Sequence, residues 1–378
     1  MDFNLSDEQK MIRDAVEKFV RNDYAFDARR KIVDSKDGFS RDIWQQFAEF
    51  GWLGVALPEE YGGFDGSMIE TMQVMEPFGS AMVVEPYLST AVLGGNAINL
   101  AGTAEQKQAL LPQLIAGELI LALAYHEEGS RYNLADVNAK AEKTGNGYTI
   151  TGGKSVVLAA PWADKFIVSA RTSGSPLSED GISLFLIDAK ATGVSVTPYK
   201  TMDGSCGGNV RLEGVQVDSG ALLGTEGQGL SVLEAVVDMG TAAACAEALG
   251  AMQSAYQKTL EYVKTRKQFG VPIGSFQVLQ HRLVDMFSAV EMSRSISYMV
   301  AMRAASNDPV ERKKAVSAAK AYMGDKARFV AQQSVQIHGG VGMTEELDIG
   351  HYFRRLTMFG QLFGSTDHHL QRFADLSE

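Results

Sequence analysis

The sequence predicts a three-part chain in the order helical, β-rich, helical. Capping boxes and apolar helix faces mark the first part, short β-rich segments with turn residues mark the second, and long stretches with few helix breakers mark the third. A chain of 378 residues is long enough for two or three domains. We therefore expect an all-α N-terminal domain over 1–118, a middle β domain over 119–227 and a C-terminal four-helix bundle over 228–378.

The N-terminal part carries explicit helix start and stop signals. Ser6 followed by Gln9 forms one capping box, and Thr103 followed by Gln106 forms another. Gly117 then ends the second of these helices. Apolar residues after the first box repeat at helical spacing: Met11, Ile12, Ala15, Val16, Phe19 and Val20.

The middle part has the pattern of a β domain. Gly145, Asn146 and Gly147 lie between alternating segments and predict a hairpin turn. Strands follow one another without intervening helices, which predicts an antiparallel sandwich or barrel. The clearest strand segments are YTITG at 148–152, KFIVSAR at 165–171 and ISLFLID at 182–188.

The C-terminal part returns to long helices. Residues 228–264 contain only glycine as a breaker, and a second helix is predicted over 275–306 with Ser275 as its cap. Asp308-Pro309 places an N-cap before a proline at the first helical position, and Gly339-Gly340 ends that third helix. Three long helices followed by shorter ones predict a helical bundle.

Composition excludes several classes of protein. The net charge of −11, from 35 Lys plus Arg and 46 Asp plus Glu, argues against a nucleic-acid-binding surface. Two cysteines, Cys206 and Cys245, provide no disulfide framework, and we expect no metal site. The polar start MDFNLSDEQK predicts no signal peptide, and we expect no membrane-spanning run. These features predict a cytoplasmic protein with no membrane partner.

Two segments carry distinctive chemistry. In TRKQFGVPIGSFQVLQHRLVDM (265–286), a helix ends beside Arg266, which is available to an anion. In QIHGGVGMTEEL (336–347), the glycines let the backbone approach a ligand and direct amides at a phosphate. Each segment also has a plain structural interpretation, a hairpin with a solvated basic end and a helix stop, respectively.

These two segments, in this order and within this helix–sheet–helix frame, resemble the acyl-CoA dehydrogenase family. The resemblance covers the whole chain and includes LLGTEGQGLSVL (222–233) and NGYTITGGKSVVLAAPWADKFIVSAR (146–171). It implies the family's three-domain fold, FAD as cofactor, an acyl-CoA substrate, and electron-transfer flavoprotein or a similar acceptor. Because the family's flavin site is shared between subunits, it also implies at least a dimer, either a homo-dimer or tetramer or a hetero-oligomer.

The resemblance assigns cofactor-binding residues position by position. Arg266 and Phe269 match residues that reach the FAD pyrophosphate and adenosine of a neighbouring subunit, and Gln277 matches a residue near the adenine. Ser130 matches a serine near the flavin. The backbone turn that approaches the pyrophosphate is matched by Gln336, Gly339 and Gly340.

The catalytic carboxylate of the family is missing from both places where the family holds it. The family's base is a Glu that removes the α-proton of the thioester, and burial raises the pKa of such a base toward neutrality. Its usual C-terminal position falls on Phe363, and its alternative position, on the first long bundle helix, falls on Gly240. The catalytic residue is therefore unknown from sequence.

Several side chains near these two positions are candidate substitutes for the missing base. Asp367 follows Phe363 by one helical turn and is a weak candidate. Glu247 shares the face of Gly240 but lies two turns, ~10 Å, along the helix. His368 and His369 titrate near neutrality but are more commonly structural.

The sequence departs from the family pattern at two further places and resembles one subgroup of the family near its C-terminus. AYHEEGSRY (124–132) replaces the family's usual middle-domain signature, and Val156 occupies a position where an aromatic residue often covers the flavin. The FGSTDHHL sequence near the C-terminus resembles the small subunits of pimeloyl-CoA dehydrogenase-type enzymes, which pair with a larger homologous subunit.

Three functions remain open from sequence. The first is FAD-dependent α,β-dehydrogenation of a CoA thioester as one subunit of a hetero-oligomer whose partner supplies the Glu. The second is a non-catalytic structural subunit. The third is a self-sufficient flavoenzyme of altered chemistry that uses Asp367 or no base.

Overall fold

The fold, obtained as a computed structural model that describes residues 5–377, follows the predicted order of helices, sheet and helices. The described helices are α1 (Asp7–Asn22), α2 (Phe26–Val33), α3 (Arg41–Glu49), α4 (Met68–Ala81), α5 (Gly95–Ala101), α6 (Ala104–Ile115), α7 (Gly229–Thr265), α8 (Gln277–Arg303), α9 (Pro309–His338), α10 (Ile349–Phe359) and α11 (Thr366–Asp375). The described strands are β1 (Leu121–Ala124), β2 (Lys140–Thr144), β3 (Gly147–Leu158), β4 (Lys165–Arg171), β5 (Ile182–Asp188), β6 (Val194–Lys200), β7 (Cys206–Asp218), β8 (Leu222–Leu223), β9 (Lys267–Gln268) and β10 (Val271–Pro272).

Most of the predicted helix signals operate as expected. Both capping boxes form, with Ser6 accepting from the Gln9 amide and Thr103 from the Gln106 amide. The Asp308 side chain caps α9 by accepting from two backbone amides. Ser275 is not the cap of α8, because α8 begins at Gln277 and the Ser275 hydroxyl donates to the Pro272 carbonyl at 2.8 Å.

The β-rich segment forms one eight-stranded sheet. Its strands run in the order β6-β7-β3-β2-β4-β5-β8, and β1 pairs with β4. The pairing is mainly antiparallel, as expected, but β1 and β2 both lie parallel to β4. A parallel neighbour requires a connection longer than a hairpin, and in both pairs the chain passes through β3 before it reaches β4.

Contacts divide the chain into two compact units. The helical unit comprises the described parts of Met1–Ser35 and Thr241–Glu378 together with Met68–Val83. The sheet unit comprises Lys36–Ser67 and Val84–Gly240. The first 118 residues are thus distributed over both units, whereas the boundaries expected at 118 and 227 remain predictions about sequence domains.

The helical unit contains an unusually close helix contact. A Cβ atom added to Gly79 on α4 would lie 1.8 Å from the Glu247 carbonyl oxygen on α7. A Cβ atom added to Gly250 on α7 would lie 1.8 Å from the Glu76 carbonyl oxygen on α4. Both positions therefore require glycine for the two backbones to approach this closely.

Helix α7 contains an apolar stretch, although we predicted no run of membrane-spanning character from the sequence. An 18-residue window within it has a mean hydropathy of 1.4, enough by length and composition for a membrane span. Because 72% of that window is buried inside the protein, we interpret α7 as a core helix.

Candidate functional site

The ends of α7 and α9 meet in the helical unit and bring the two distinctive sequence segments together. The ring of Tyr262 stacks on His338, with centroids 4.2 Å apart, and its hydroxyl donates to the His338 carbonyl at 3.4 Å. Arg266 follows Tyr262 by one turn and its amide donates to the Tyr262 carbonyl at 2.8 Å. Gly339 directly follows His338. The predicted cofactor residues of both segments therefore lie at one end of this unit.

The segment after α7 presents its side chains to solvent. Arg266 is exposed, and Phe269, at φ 53°, is 90% exposed. The two-residue ribbon β9–β10 folds this segment back so that the Ile273 amide donates to the Arg266 carbonyl at 2.8 Å. Gln277 is the exposed first residue of α8. An exposed guanidinium and aromatic ring of this kind are suited to a ligand or a neighbouring subunit.

The turn after α9 leaves its backbone open. Gly339, at φ 67° and ψ −148°, ends α9, and a Cβ atom added to Gly339 or Gly340 would meet nothing within 4 Å. Gln336 is exposed one turn earlier. An arginine beside an open glycine turn fits a diphosphate group, which takes fork-shaped donors and backbone amides.

Ser130 belongs to the sheet unit and its hydroxyl is engaged locally. It is 7% exposed, donates to the Glu127 carbonyl at 2.9 Å and accepts from the Glu127 amide at 3.2 Å. These bonds close a turn after β1. The predicted cofactor contact of Ser130 therefore remains a prediction, whereas its hydrogen bonds give it a structural role.

A buried ion pair supports this turn and was missed by sequence reasoning. The Glu127 carboxylate accepts from Lys154 Nζ at 2.6 Å and from the backbone amides of Asn138 and Ala139. Lys154 Nζ also donates to Ser169 Oγ at 3.0 Å, and burial lowers the pKa of Lys154 to about 8. Lys154 shares a face of β3 with buried Tyr148 and Ile150, at even spacing, which was the available signal.

A bulge in β3 exposes Val156. The register between β3 and β7 shifts between Lys154 and Val157, and Val156 has a φ of 53°. A β-branched residue in the left-handed region is strained. Its side chain is 51% exposed, whereas the neighbouring Ser155 contacts His126 at 2.9 Å between Oγ and Nδ1. Strain of this type is often found at ligand-binding positions.

Phe363, the predicted base position, lies in a tight turn between α10 and α11. Phe363 is 8% exposed and adopts a φ of 59°, and Gly364 follows at a φ of 130°. A Cβ atom added to Gly364 would lie 2.6 Å from His369 Nε2. The turn therefore buries an apolar ring at the position that the sequence resemblance assigns to the catalytic carboxylate.

Side chains from α9 and α11 contact the two successive carbonyls of this turn. His369 Nε2 lies 3.1 Å from the Phe363 oxygen, and Lys320 Nζ lies 2.8 Å from the Gly364 oxygen. Burial lowers the pKa of His369 to about 3, so it does not match a base that titrates near neutrality. Sequence reasoning missed Lys320, although it shares a helix face with buried Val316 and Met323.

The other candidate bases occupy unfavourable environments. Asp367 is exposed on the first turn of α11 and lacks the burial that a base of this type requires. Glu247 is held by Arg355, with 2.5 Å between Oε1 and Nη2. Gly240 is a buried residue of α7 and offers no side chain. Asp367 stays a weak prediction.

Comparisons with known proteins agree with the resemblance over nearly the whole chain. Family models match for the acyl-CoA dehydrogenase N-terminal domain (6–118), middle domain (122–215) and C-terminal domain (227–376). The probable acyl-CoA dehydrogenase YngJ of Bacillus subtilis is 31% identical over 359 residues, covering 94% of this chain and 93% of that protein.

Solved structures share the complete fold. The ChsE4-ChsE5 complex from Mycobacterium tuberculosis contains a chain with a TM-score of 0.91 and 29% identity, covering 100% of this chain and 99% of its own. A structure described as the electron transferring flavoprotein of Acidaminococcus fermentans contains one with a TM-score of 0.90 and 27% identity, covering 99% and 98%. The predicted fold class is thereby confirmed.

Proposed function

Because the chain belongs to the acyl-CoA dehydrogenase family, we propose that it is one subunit of a hetero-oligomeric, FAD-dependent dehydrogenase acting on a CoA thioester. In this proposal a homologous partner supplies the catalytic Glu. The carrying observation is the apolar turn at the base position, where Phe363 is buried and both carbonyls of the Phe363–Gly364 turn are engaged by side chains of the same chain. The reaction requires a base for the α-proton, and this turn provides none.

The cofactor contribution of the chain rests on one end of the helical unit. Arg266 would bind phosphate oxygens through its guanidinium, and the amides at Gly339 and Gly340 would approach the same diphosphate. FAD, when bound, supplies the acceptor for the β-hydride. Electron-transfer flavoprotein or a similar protein is the proposed acceptor of the electrons, a proposal supported by the fold likeness to the Acidaminococcus fermentans structure.

The proposed partner is supported by an exposed apolar groove on the helical unit. The groove has a volume of about 560 Å³ and lies between the C-terminal half of α7 and the N-terminal half of α8. On its rim, Val284 is 61% exposed and Phe287 is 50% exposed. Apolar patches of this kind mark protein interfaces. The fold likeness to a chain of the ChsE4-ChsE5 complex supports a second, different chain as the occupant.

The experiment that tests this proposal is anaerobic flavin reduction. The chain is purified alone, supplied with FAD, and mixed with a panel of acyl-CoA thioesters without oxygen while flavin absorbance is recorded. We expect bound flavin to stay oxidised in the wild type because no base is present. We expect bleaching when a Glu-bearing homologous subunit is added, and none when that Glu is replaced by Gln.

A substitution within this chain sharpens the same experiment. Phe363→Glu places a carboxylate at the base position, and Phe363→Gln is the matched control of similar shape without a base. Without a partner subunit, we expect the thioesters to bleach the flavin of Phe363→Glu but not that of Phe363→Gln. Bleaching by the wild-type chain without a partner would overturn the proposal and direct attention to Asp367→Asn. Absence of flavin binding in every combination would favour the purely structural subunit.

A further inference from the structure

The turn that carries Phe363 is held from below by a compact cluster of polar side chains. Lys320 on α9 donates from Nζ to the Gly364 carbonyl at 2.8 Å, and His369 on α11 donates from Nε2 to the Phe363 carbonyl at 3.1 Å. Two successive carbonyls are thus bound by two different helices. Because the Phe363 carbonyl only accepts, Nε2 is the protonated nitrogen of a neutral His369, and the Ser317 hydroxyl, one turn before Lys320, lies 3.4 Å from Nδ1.

The surroundings of Lys320 provide its ammonium with a hydrogen-bond acceptor and an aromatic ring. Its side chain is completely buried, and its Nζ lies 4.4 Å from the centre of the Phe359 ring. Among residues 5–377, no carboxylate lies within ion-pair distance of this ammonium, and the ionisable group that acts on it is the Cys245 thiol. The Gly364 carbonyl is its hydrogen-bond acceptor, and the Phe359 ring adds a cation–π contact.

A buried ammonium without a carboxylate partner lowers the global stability of a protein. Its favourable effect must therefore be local. The locally unfavourable features are in the turn itself, where a bulky residue at a φ of 59° precedes a glycine at 130°. Hydrogen bonds to both carbonyls select this backbone conformation over alternatives.

We propose that Lys320 and His369 are positioning residues that hold the Phe363–Gly364 turn, and therefore side chain 363, in the base position of the family. This inference rests on the proposed function only for the meaning of position 363. The clamp itself is a property of the turn and is measurable without FAD or substrate.

The charged and titratable groups that face Lys320 come from two packed helices. Cys245 faces it from α7, and its thiol has a pKa raised to about 12 by burial. His368, His369 and Arg372 face the same cluster from α11. The two histidines have pKa values lowered by burial, so Lys320 is the group of this cluster that titrates near pH 8.

Hydrogen exchange of the full-length chain tests the clamp. Peptides covering 359–366 are followed by mass spectrometry in the wild type, Lys320→Met, Lys320→Arg and Lys326→Met. Lys326 is a partly exposed lysine on the same helix, so Lys326→Met controls for loss of a lysine from α9. We expect exchange of the turn at least about tenfold faster in Lys320→Met, with wild-type protection in Lys320→Arg and Lys326→Met.

The pH profile separates positioning from a general structural role. Wild-type protection of the turn, corrected for intrinsic exchange rates, should fall several-fold between pH 7 and 9.5, because a neutral amine is a weaker donor than an ammonium. Lys320→Met should show no such fall. His369→Leu, a second variant that removes the other donor, should accelerate the same peptides if Lys320→Met does not fold.

The clamp is overturned if the turn keeps its protection in both Lys320→Met and His369→Leu. It is also overturned if Lys326→Met accelerates the turn equally, or if the pH profile persists without Lys320. None of these outcomes depends on flavin reduction. A failure of the proposed function would instead appear as bleaching by the wild-type chain alone, with the clamp intact.

Discussion

At the residue scale, burial has opposite effects on two neighbouring side chains, Lys320 of α9 and Phe363. It is favourable for the aromatic ring and unfavourable for the ammonium. Phe363 fills an apolar position, whereas Lys320 brings a charge into the same interior. Burial lowers the pKa of Lys320 from 10.5 to about 8. The folded state therefore binds fewer protons than the unfolded state between these two values, so the free energy of unfolding should rise with pH in that window.

The lowered pKa of Lys320 predicts that global stability and protection of the turn respond to pH in opposite directions. Global stability should rise with pH, whereas protection of the turn should fall. The free energy of unfolding of the wild type, relative to Lys320→Met, should increase by on the order of 3 kcal/mol from pH 7.5 to 10.5. Urea unfolding of both variants at several pH values measures it, and the comparison cancels other titrating groups. If the free energy of unfolding of the wild type, relative to Lys320→Met, falls as the pH rises, Lys320 is not destabilised by burial of its charge.

At the element scale, the contact of α4 with α7 is decided by two glycines. Gly79 and Gly250 each face a backbone carbonyl of the other helix at a distance no side chain tolerates. Glycine inside a helix costs ~1 kcal/mol relative to Ala. The close approach offsets that cost because it buries the two helices against each other. Glu76, on α4, also pairs with Arg13 of α1 and Arg294 of α8, at 3.0 and 2.6 Å.

Gly250→Ala should accordingly destabilise the protein despite the better helix propensity of alanine. We expect a loss of about 1–3 kcal/mol, the range for overpacked interiors, measured by urea unfolding. Gly153→Ala is the control, because a Cβ atom added there would meet nothing within 4 Å. Equal stability of Gly250→Ala and the wild type would show that the helices separate without penalty.

At the scale of the whole molecule, the helical unit exposes an apolar surface that a single chain does not cover. Phe287 and Val284 border the groove between α7 and α8, and Phe269 lies 90% exposed on the neighbouring ribbon. Burial of such side chains contributes about 1.5–3 kcal/mol each. This gain is available only on association.

Phe287→Ser should therefore weaken assembly with the partner subunit. We expect the dissociation constant to increase at least about tenfold, measured by sedimentation or light scattering across a concentration series. Phe50→Ser is the matched control because Phe50 is 53% exposed but belongs to the sheet unit. Unchanged association of Phe287→Ser would place the interface elsewhere.

Local residue patterns were sufficient to predict most helix ends, and the family resemblance predicted that the usual base is missing. Ser6, Thr103 and Asp308 could be identified as caps because a cap and its amide lie within three residues of each other. The absence of carboxylate at Phe363 and Gly240 needed only the order of residues and the family pattern. Ser275 was wrong as a cap because α8 begins at Gln277, which places Phe276 rather than Ser275 at the N-cap position.

The side chains that surround these positions could not be predicted from local patterns, because they come from distant parts of the chain. Lys320 reaches a carbonyl 44 residues away, and Lys154 reaches a carboxylate 27 residues away. Gly79 meets the helix that carries Glu247. Such pairs share no local spacing rule, because burial and partner are set by packing between distant segments rather than by the periodicity of one helix or strand.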